Sequence, residues 1–314
     1  MSFEVVSTGR YVPEKVVTNE DFVSKIDTTD EWIVSRTGIE CRRYVENQTT
    51  ADLGVLAAQK AIEKGNIPKE KIKAVIVATF TPDYLTPSVA CLIQQQLQLP
   101  EDILSLDING ACSGFIYGMM LCDSLLTSFS EDEYILLIGT EVISKLLNFE
   151  DRGTCILFGD GAGAVILKKR EGALGYFSVG SRGTSKELGC FGVDGKGSKP
   201  QVYMNGKEVF RFATATIVQC IEDVIEKNRV QKEEIDYVVC HQANKRIIDY
   251  AQKKSKISSE KFYVNIAEYG NTSSASIPIA LDEMAEKNLL QRGMKVLMVG
   301  FGGGLTWGGT LIEW

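Results

Sequence analysis

The stretch Ile103-Leu104-Ser105-Leu106-Asp107-Ile108-Asn109-Gly110-Ala111-Cys112-Ser113-Gly114-Phe115 passes from a short apolar run, through a small-residue turn, into a helical pattern. Phe115, Ile116, Met119, Met120, Leu125 and Leu126 carry the helical spacing onward. Similar units surround it. Residues 73–79 and 134–138, and 155–158 followed by 164–167, read as buried strands, while 50–64 and 88–97 read as helices. Strands alternating with helices imply a parallel α/β arrangement, with the strands covered on both faces.

The second half repeats the order. Residues 235–240 parallel the strand at 72–78, 262–266 parallel 104–108, and 295–299 parallel 134–138. The closing run 305–312 parallels a hairpin expected around Asp160. The turn Asn109-Gly110-Ala111-Cys112 has its counterpart in Tyr269-Gly270-Asn271-Thr272. Two pseudo-equivalent α/β halves are expected, 1–172 and 173–314. The glycine-rich segment 180–200 reads as a surface excursion after the first half.

Composition narrows the function. The chain has 314 residues, 44% apolar and 24% charged, enough for a sizeable core. Its 34 basic and 41 acidic residues leave a net charge of −7, which argues against nucleic acid as the main partner. No run of about 18 apolar residues suggests a membrane span. The start shows no basic segment leading into an apolar one, so no secretory signal and a cytoplasmic location are expected. The eight cysteines are scattered without a C-x-x-C pair, which weakens zinc-ribbon and thioredoxin readings and suggests reduced core thiols. His241 is the only histidine, so counting alone excludes a His-rich metal site.

Cys112 stands at the start of a helical stretch, where unpaired N–H groups and the helix dipole favour an anion and are expected to lower a thiol pKa. The small neighbours Gly110, Ala111, Ser113 and Gly114 allow a substrate to approach. The remaining cysteines read as structural. His241 ends a strand and Gln242-Ala243-Asn244 opens a helix, which puts the imidazole on the edge where α/β proteins bind ligands. Asn271 could be a plain helix cap. The internal repeat, however, would bring it to Cys112, where its amide could donate to a carbonyl oxygen. Gly159-Asp160-Gly161-Ala162-Gly163 lacks a phosphate-loop ending and reads as a tight turn. The backbone of Phe301-Gly302-Gly303-Gly304 could serve an oxyanion hole. Between Lys245 and Lys261, six basic residues face two acidic ones, a solvated helix face or a docking surface for an acidic partner.

Together these motifs resemble bacterial β-ketoacyl-acyl-carrier-protein synthase III. The resemblance rests on Asn109-Gly110-Ala111-Cys112-Ser113-Gly114-Phe115, Asp151-Arg152-Gly153-Thr154, Phe158 to Gly163, His241-Gln242-Ala243-Asn244, Tyr269-Gly270-Asn271-Thr272-Ser273 and Phe301 to Gly308. It runs from Gly9-Arg10-Tyr11-Val12-Pro13 to the last strand pattern. It implies a thiolase-like fold, two duplicated halves in a five-layer αβαβα arrangement. It further implies Cys112 as the nucleophile taking an acyl group from acyl-CoA, with His241 and Asn271 holding the thioester carbonyl of malonyl-acyl-carrier-protein during decarboxylation. The N–H groups of Cys112 and Gly303 would form the oxyanion hole.

For CoA the resemblance points to Trp32 and Arg152 around the adenine, with Thr28, Arg36, Gly206 and Asn244 nearby. For the carrier protein it points to Arg211, Gln242, Ala243, Asn244, Lys245, Arg246, Lys253 and Lys254. Thr86, Ile143 and Phe158 match acyl-pocket positions. Members that prefer acetyl often carry Phe where Thr86 stands, which predicts tolerance of longer primers here. No metal or organic cofactor is expected, acyl-CoA being a substrate, and a homodimer is implied. A homologue serving a specialised pathway is a near alternative. A papain-like hydrolase shares the order Cys, His, Asn, but Cys112-Ser113-Gly114-Phe115 does not match its nucleophile pattern.

Overall fold

A computed structural model describes residues 3–170, 172, 175–191 and 200–314. Its strands are β1 (Phe3–Tyr11), β2 (Val16–Thr18), β3 (Cys41–Arg43), β4 (Ile72–Ala78), β5 (Leu104–Ile108), β6 (Tyr134–Glu141), β7 (Gly161–Lys169), β8 (Phe177–Ser181), β9 (Leu188–Phe191), β10 (Gln201–Met204), β11 (Tyr237–Cys240), β12 (Phe262–Tyr263), β13 (Lys295–Gly302) and β14 (Thr306–Glu313). The helices are α1 (Glu20–Val23), α2 (Asp30–Thr37), α3 (Thr50–Gly65), α4 (Val89–Gln96), α5 (Gly114–Leu126), α6 (Arg152–Cys155), α7 (Gly206–Asn228), α8 (Lys245–Ser255), α9 (Ile266–Tyr269) and α10 (Ser276–Glu286).

The two large sheets have the same plan, β1-β7-β6-β4-β5 and β8-β14-β13-β11-β12. In each, three strands pair parallel, and the two beyond them are added by successive antiparallel pairings. Even the register repeats. β6 meets β7 from Tyr134–Lys168 to Glu141–Gly161, and β13 meets β14 from Lys295–Glu313 to Gly302–Thr306. Glu141 and Gly302 therefore occupy equivalent places at the ends of equivalent strands.

Side-chain pattern explains the layering. α5 buries Phe115, Ile116, Gly118, Met119, Cys122 and Leu126 between the two sheets. With α10 it fills the space between the sheets, and Ile116, Met119, Leu281 and Met284 meet Ile76 and Leu137 on one side and Val239 and Met298 on the other. Each such side chain contributes roughly 1.5–3 kcal/mol by leaving water. α3 starts at a capping box between Thr49 and Asp52 and lays Ala57, Ala58 and Ala61 against the outer face of the first sheet. α7 and α8 cover the outer face of the second sheet. The five layers are thus helix, sheet, helix, sheet, helix.

Several local expectations are corrected. Residues 155–158 do not form a strand. α6 occupies 152–155, and Phe158 makes a single parallel bridge to Asn271. Residues 159–163 are not a tight turn but the entry into β7, because the buried Asp160 carboxylate accepts bonds from Val45 N, Ser144 N and Ser144 Oγ. Only Phe262 and Tyr263 of 262–266 pair as a strand, and Ile266 begins α9. β1 and β8, the strands flanking β7 and β14, were not foreseen. The segment 180–200 includes the end of β8 and all of β9, which pairs with β10 as a separate ribbon. Residues 192–199 of it lie outside the described residues.

Candidate active site

The Cys112 turn is set by backbone geometry. Ala111 takes a left-handed φ of 46° and its N–H bonds to Asn109 Oδ1 at 3.2 Å. The second half repeats this detail. Ser273 has a φ of 50°, and its N–H bonds to Asn271 Oδ1 at 2.9 Å. Ala111–Ser113 and Ser273–Ala275 are both single 3-10 turns leading into the central helices α5 and α10. Asn271 is thus the counterpart of Asn109, and Cys112 that of Ser274.

Both turns pack tightly on glycines. A Cβ on Gly300 would sit 3.2 Å from Cys112 O, and one on Gly139 would sit 2.4 Å from Ser274 O. Thr306 Oγ1 lies within hydrogen-bonding reach of Gly110 O and Ser113 Oγ, tying β14 to the Cys112 turn.

Cys112, His241 and Asn271 line one narrow cavity of about 80 Å³, with Phe158, Phe210 and Gly302 on its walls. Cys112 also lines a second, much larger cavity of about 1160 Å³, bounded by Phe80, Thr81, Leu85, Leu188, Val202 and Gly303, among others. The sulfur therefore sits where two chambers meet, and Phe158 and Leu188 share that boundary.

Each polar group is fixed from behind. Because Asn271 Oδ1 is taken by Ser273 N, its Nδ2 is the amide atom left for the cavity. The buried His241 ring has Nδ1 2.7 Å from Ser276 Oγ and its edge against Phe301. Burial pushes the His241 pKa down to about 3, so the ring is neutral at physiological pH. Burial also pushes the Cys112 thiol up to about 12, a Ser273 contact opposing this and the nearby Glu141 reinforcing it. This corrects the lowering expected from the helix start. Removal from water is the largest influence on the thiol, and no imidazole hydrogen bond holds a thiolate among the described residues.

The nucleotide positions cluster at one end. The Arg152 guanidinium lies 4.5 Å from the Trp32 ring centre and bonds to Asp27 O. A flat ring slipped between the two would need roughly 7 Å, two van der Waals contacts, so the pair must part to admit one. Thr28 Oγ1 is buried without a partner. Arg36 is exposed and its carbonyl accepts from Asn244 Nδ2. Gly206 and Asn244 line the narrow cavity.

The basic positions separate. Arg246 stacks 5.2 Å over Phe210 at the narrow cavity, and Arg211, Lys253 and Lys254 are exposed. Lys245 pairs with Asp249 on the same helix. Ala243 lines the narrow cavity. Gln242 does not belong to a docking face. It is 1% exposed, and its amide is used by Cys240 O, Tyr263 O and Asn265 N. Of the acyl positions, Phe158 reaches the cavities, Ile143 is enclosed in the core, and Thr86 is exposed outside them.

Sequence reasoning missed Ser276, Ser273, Glu141 and the β9–β10 ribbon. Ser273 closes the quoted turn and Ser276 opens α10, but nothing in their spacing revealed what their hydroxyls would face.

Two family models match the chain. "3-Oxoacyl-[acyl-carrier-protein (ACP)] synthase III" covers residues 106–183 and its C-terminal companion covers 225–314. A β-ketoacyl-[acyl-carrier-protein] synthase III of Clostridium acetobutylicum is 48% identical, over 100% of this chain and 99% of its own. The chain belongs to the β-ketoacyl-[acyl-carrier-protein] synthase III family. Solved synthase III structures superpose throughout. That of Aquifex aeolicus has a TM-score of 0.93 at 40% identity, covering 99% of this chain and 100% of its own. That of Thermus thermophilus has 0.93 at 41%, covering 99% and 98%. Synthase III proteins are acyltransferases of the condensing type with a thiolase-like fold, and the five layers described above are that fold.

Proposed function

We propose that this synthase III joins an acyl-CoA primer to malonyl-acyl-carrier-protein, releasing CO2 and CoA, and so starts fatty acid synthesis. The observation that carries the reading is the position of Cys112 between a narrow cavity holding His241 and Asn271 and a wide, largely apolar one. Acyl-CoA enters through the narrow cavity. The Cys112 sulfur bonds to the acyl carbon, the CoA thiolate leaves, and the thiol proton passes to it or to solvent. The acyl chain then occupies the wide cavity, and the narrow one is vacated for the malonyl thioester.

The second step needs two donors. As the malonyl carboxylate departs as CO2, negative charge grows on the thioester oxygen, and His241 Nε2 and Asn271 Nδ2 stabilise it. The carbanion attacks the acyl-Cys112 carbonyl, whose oxyanion is held by the N–H groups of Cys112 and Gly303. The Cys112–acyl bond breaks, the sulfur takes a proton back from solvent, and the β-ketoacyl product leaves on the carrier protein. Metal and organic redox cofactors have no role in this sequence.

Trp32, Arg152, Thr28, Arg36, Gly206 and Asn244 serve CoA. Arg211, Arg246, Lys253 and Lys254 receive the acidic carrier protein. The halves 1–172 and 173–314 act as one catalytic unit, in a cytoplasmic homodimer. Exposed Leu85, Leu104, Met120 and Leu121, beside the edge strand β5, support burial against a second copy. The wide cavity beside Cys112 supports primers longer than acetyl. Intact-protein mass spectrometry after mixing with acetyl-, isobutyryl- and octanoyl-CoA tests the reading. An acyl adduct on Cys112 that malonyl-carrier protein discharges is expected, and its absence with every donor overturns the assignment.

A further inference from the structure

Glu141, at the inner end of β6, is completely buried, and no salt bridge to it is formed among the described residues. One of its oxygens, Oε2, accepts from Thr81 Oγ1 at 2.8 Å, Thr79 Oγ1 at 3.1 Å and Phe80 N at 3.2 Å. The other, Oε1, lies 2.8 Å from Ser274 Oγ. Ser274 Oγ is also 2.8 Å from Ala78 O.

A proton count settles how these atoms bond. Ser274 has one hydroxyl proton, and Ala78 O can only accept. If Glu141 were ionised, two acceptors would compete for that proton and one would face the Ser274 oxygen lone pair to lone pair. If Glu141 is protonated, every contact is satisfied, with the carboxyl donating to Ser274 and Ser274 donating to Ala78 O. Burial, the largest influence, shifts the Glu141 carboxyl the same way, up to about 7. The titratable groups that influence or are influenced by it are the thiols of Cys112 and Cys190, both themselves pushed up by burial.

The bonded groups belong to two different walls. Phe80 and Thr81 line the wide cavity. Ser274 belongs to the 273–275 turn, whose first residue, Ser273, fixes the Asn271 amide of the narrow cavity. The Ser273 hydroxyl is buried without a hydrogen-bond partner, and it influences the ionisation of both Cys112 and Glu141. Glu141 is thus the direct polar link between the acyl-chain wall and the turn that aims Asn271.

We propose that Glu141 is a positioning residue which, as a neutral carboxylic acid, clamps the 79–81 segment to the 273–275 turn and so holds Asn271 in place for malonyl decarboxylation. The inference rests on the condensing reading given above. Ionisation removes the proton donated to Ser274 and places an uncompensated anion in the clamp, so decarboxylation weakens as pH rises.

Two variants test this. Glu141→Gln keeps a neutral group that can accept at one atom and donate to Ser274 from the other. Glu141→Ala removes both links. Malonyl-carrier-protein decarboxylation is followed from about pH 6 to about pH 9, beside Cys112 acylation by acetyl-CoA. The wild-type kcat is expected to fall toward the alkaline end, and Glu141→Gln is expected to stay level. Glu141→Ala is expected to lose roughly 10-fold in decarboxylation kcat at the acid end of that range, where wild type keeps the clamp, with Cys112 acylation little changed, as for one lost buried hydrogen bond. An alkaline decline in Glu141→Gln equal to that of wild type overturns the proposal, as does full decarboxylation by Glu141→Ala. Should Glu141→Ala fail to fold, the Glu141→Gln profile decides alone. Failure of wild type to acylate Cys112 at all would sink the condensing reading instead.

Discussion

Ser276 Oγ accepts a hydrogen bond from Gln242 N at 3.4 Å and stands 2.7 Å from His241 Nδ1. The decarboxylation reading assigns the Ser276 hydroxyl proton to Nδ1, which puts the imidazole proton on Nε2. A neutral histidine with that tautomer is a donor, which is what a developing thioester oxyanion requires.

Ser276→Ala removes that assignment and lets the ring adopt either tautomer. Malonyl decarboxylation is expected to fall roughly 10-fold, about the value of one buried hydrogen bond. Acylation of Cys112 should be little affected. Parallel measurement of the acylation burst and of CO2 release checks the split, and equal losses in both would contradict it.

The resting Cys112 thiol is held protonated by its burial. Exposed Cys91 should consequently be alkylated by iodoacetamide well before Cys112 at neutral pH. The Cys112 rate should climb with pH and show no plateau near neutrality. Peptide mapping of timed samples reads both rates. Cys112→Ser should abolish the stable acyl adduct.

Acid unfolding carries the signature of His241. Its pKa is about 3 in the fold against 6.5 for an unburied ring, so between those values the unfolded chain binds the extra proton. Stability from this group is complete above about pH 6.5 and is lost as pH falls toward 3, at about 1.4 kcal/mol per pH unit. Glu141, raised from 4.5 to about 7, acts in the opposite sense, its share being lost as pH rises through that interval. His241→Asn should flatten the acid limb of urea midpoints plotted against pH. An unchanged limb would refute the assignment.

Arg246, exposed and stacked on Phe210, is placed to meet an acidic carrier protein. Arg246→Ala should raise the apparent KM for malonyl-carrier protein more than that for acyl-CoA. The difference should widen at low salt, where screening is weakest. KM values at two ionic strengths supply the check, and a matched rise for both substrates would tell against a docking role.

The internal repeat was legible because strands buried on both faces write themselves as apolar runs, and their order recurs around Cys112 and Asn271. Edge strands such as β8 are half exposed and lack that signature, so they were missed. The 155–158 run was misread because its apolar residues Cys155, Ile156, Leu157 and Phe158 line a core without pairing as a strand. The family resemblance groups Gln242 with the carrier-protein positions, whereas its amide turns inward to three backbone groups.

By itself the sequence determined the duplicated architecture and which sulfur, imidazole and carboxamide could react, since residue type and periodicity are local properties of a chain. Only the tertiary structure decided which way each group faces and which protonation state it keeps. Those depend on partners distant in sequence, such as Ser276 behind His241 and Ser274 against Glu141, and on how completely packing removes water from them.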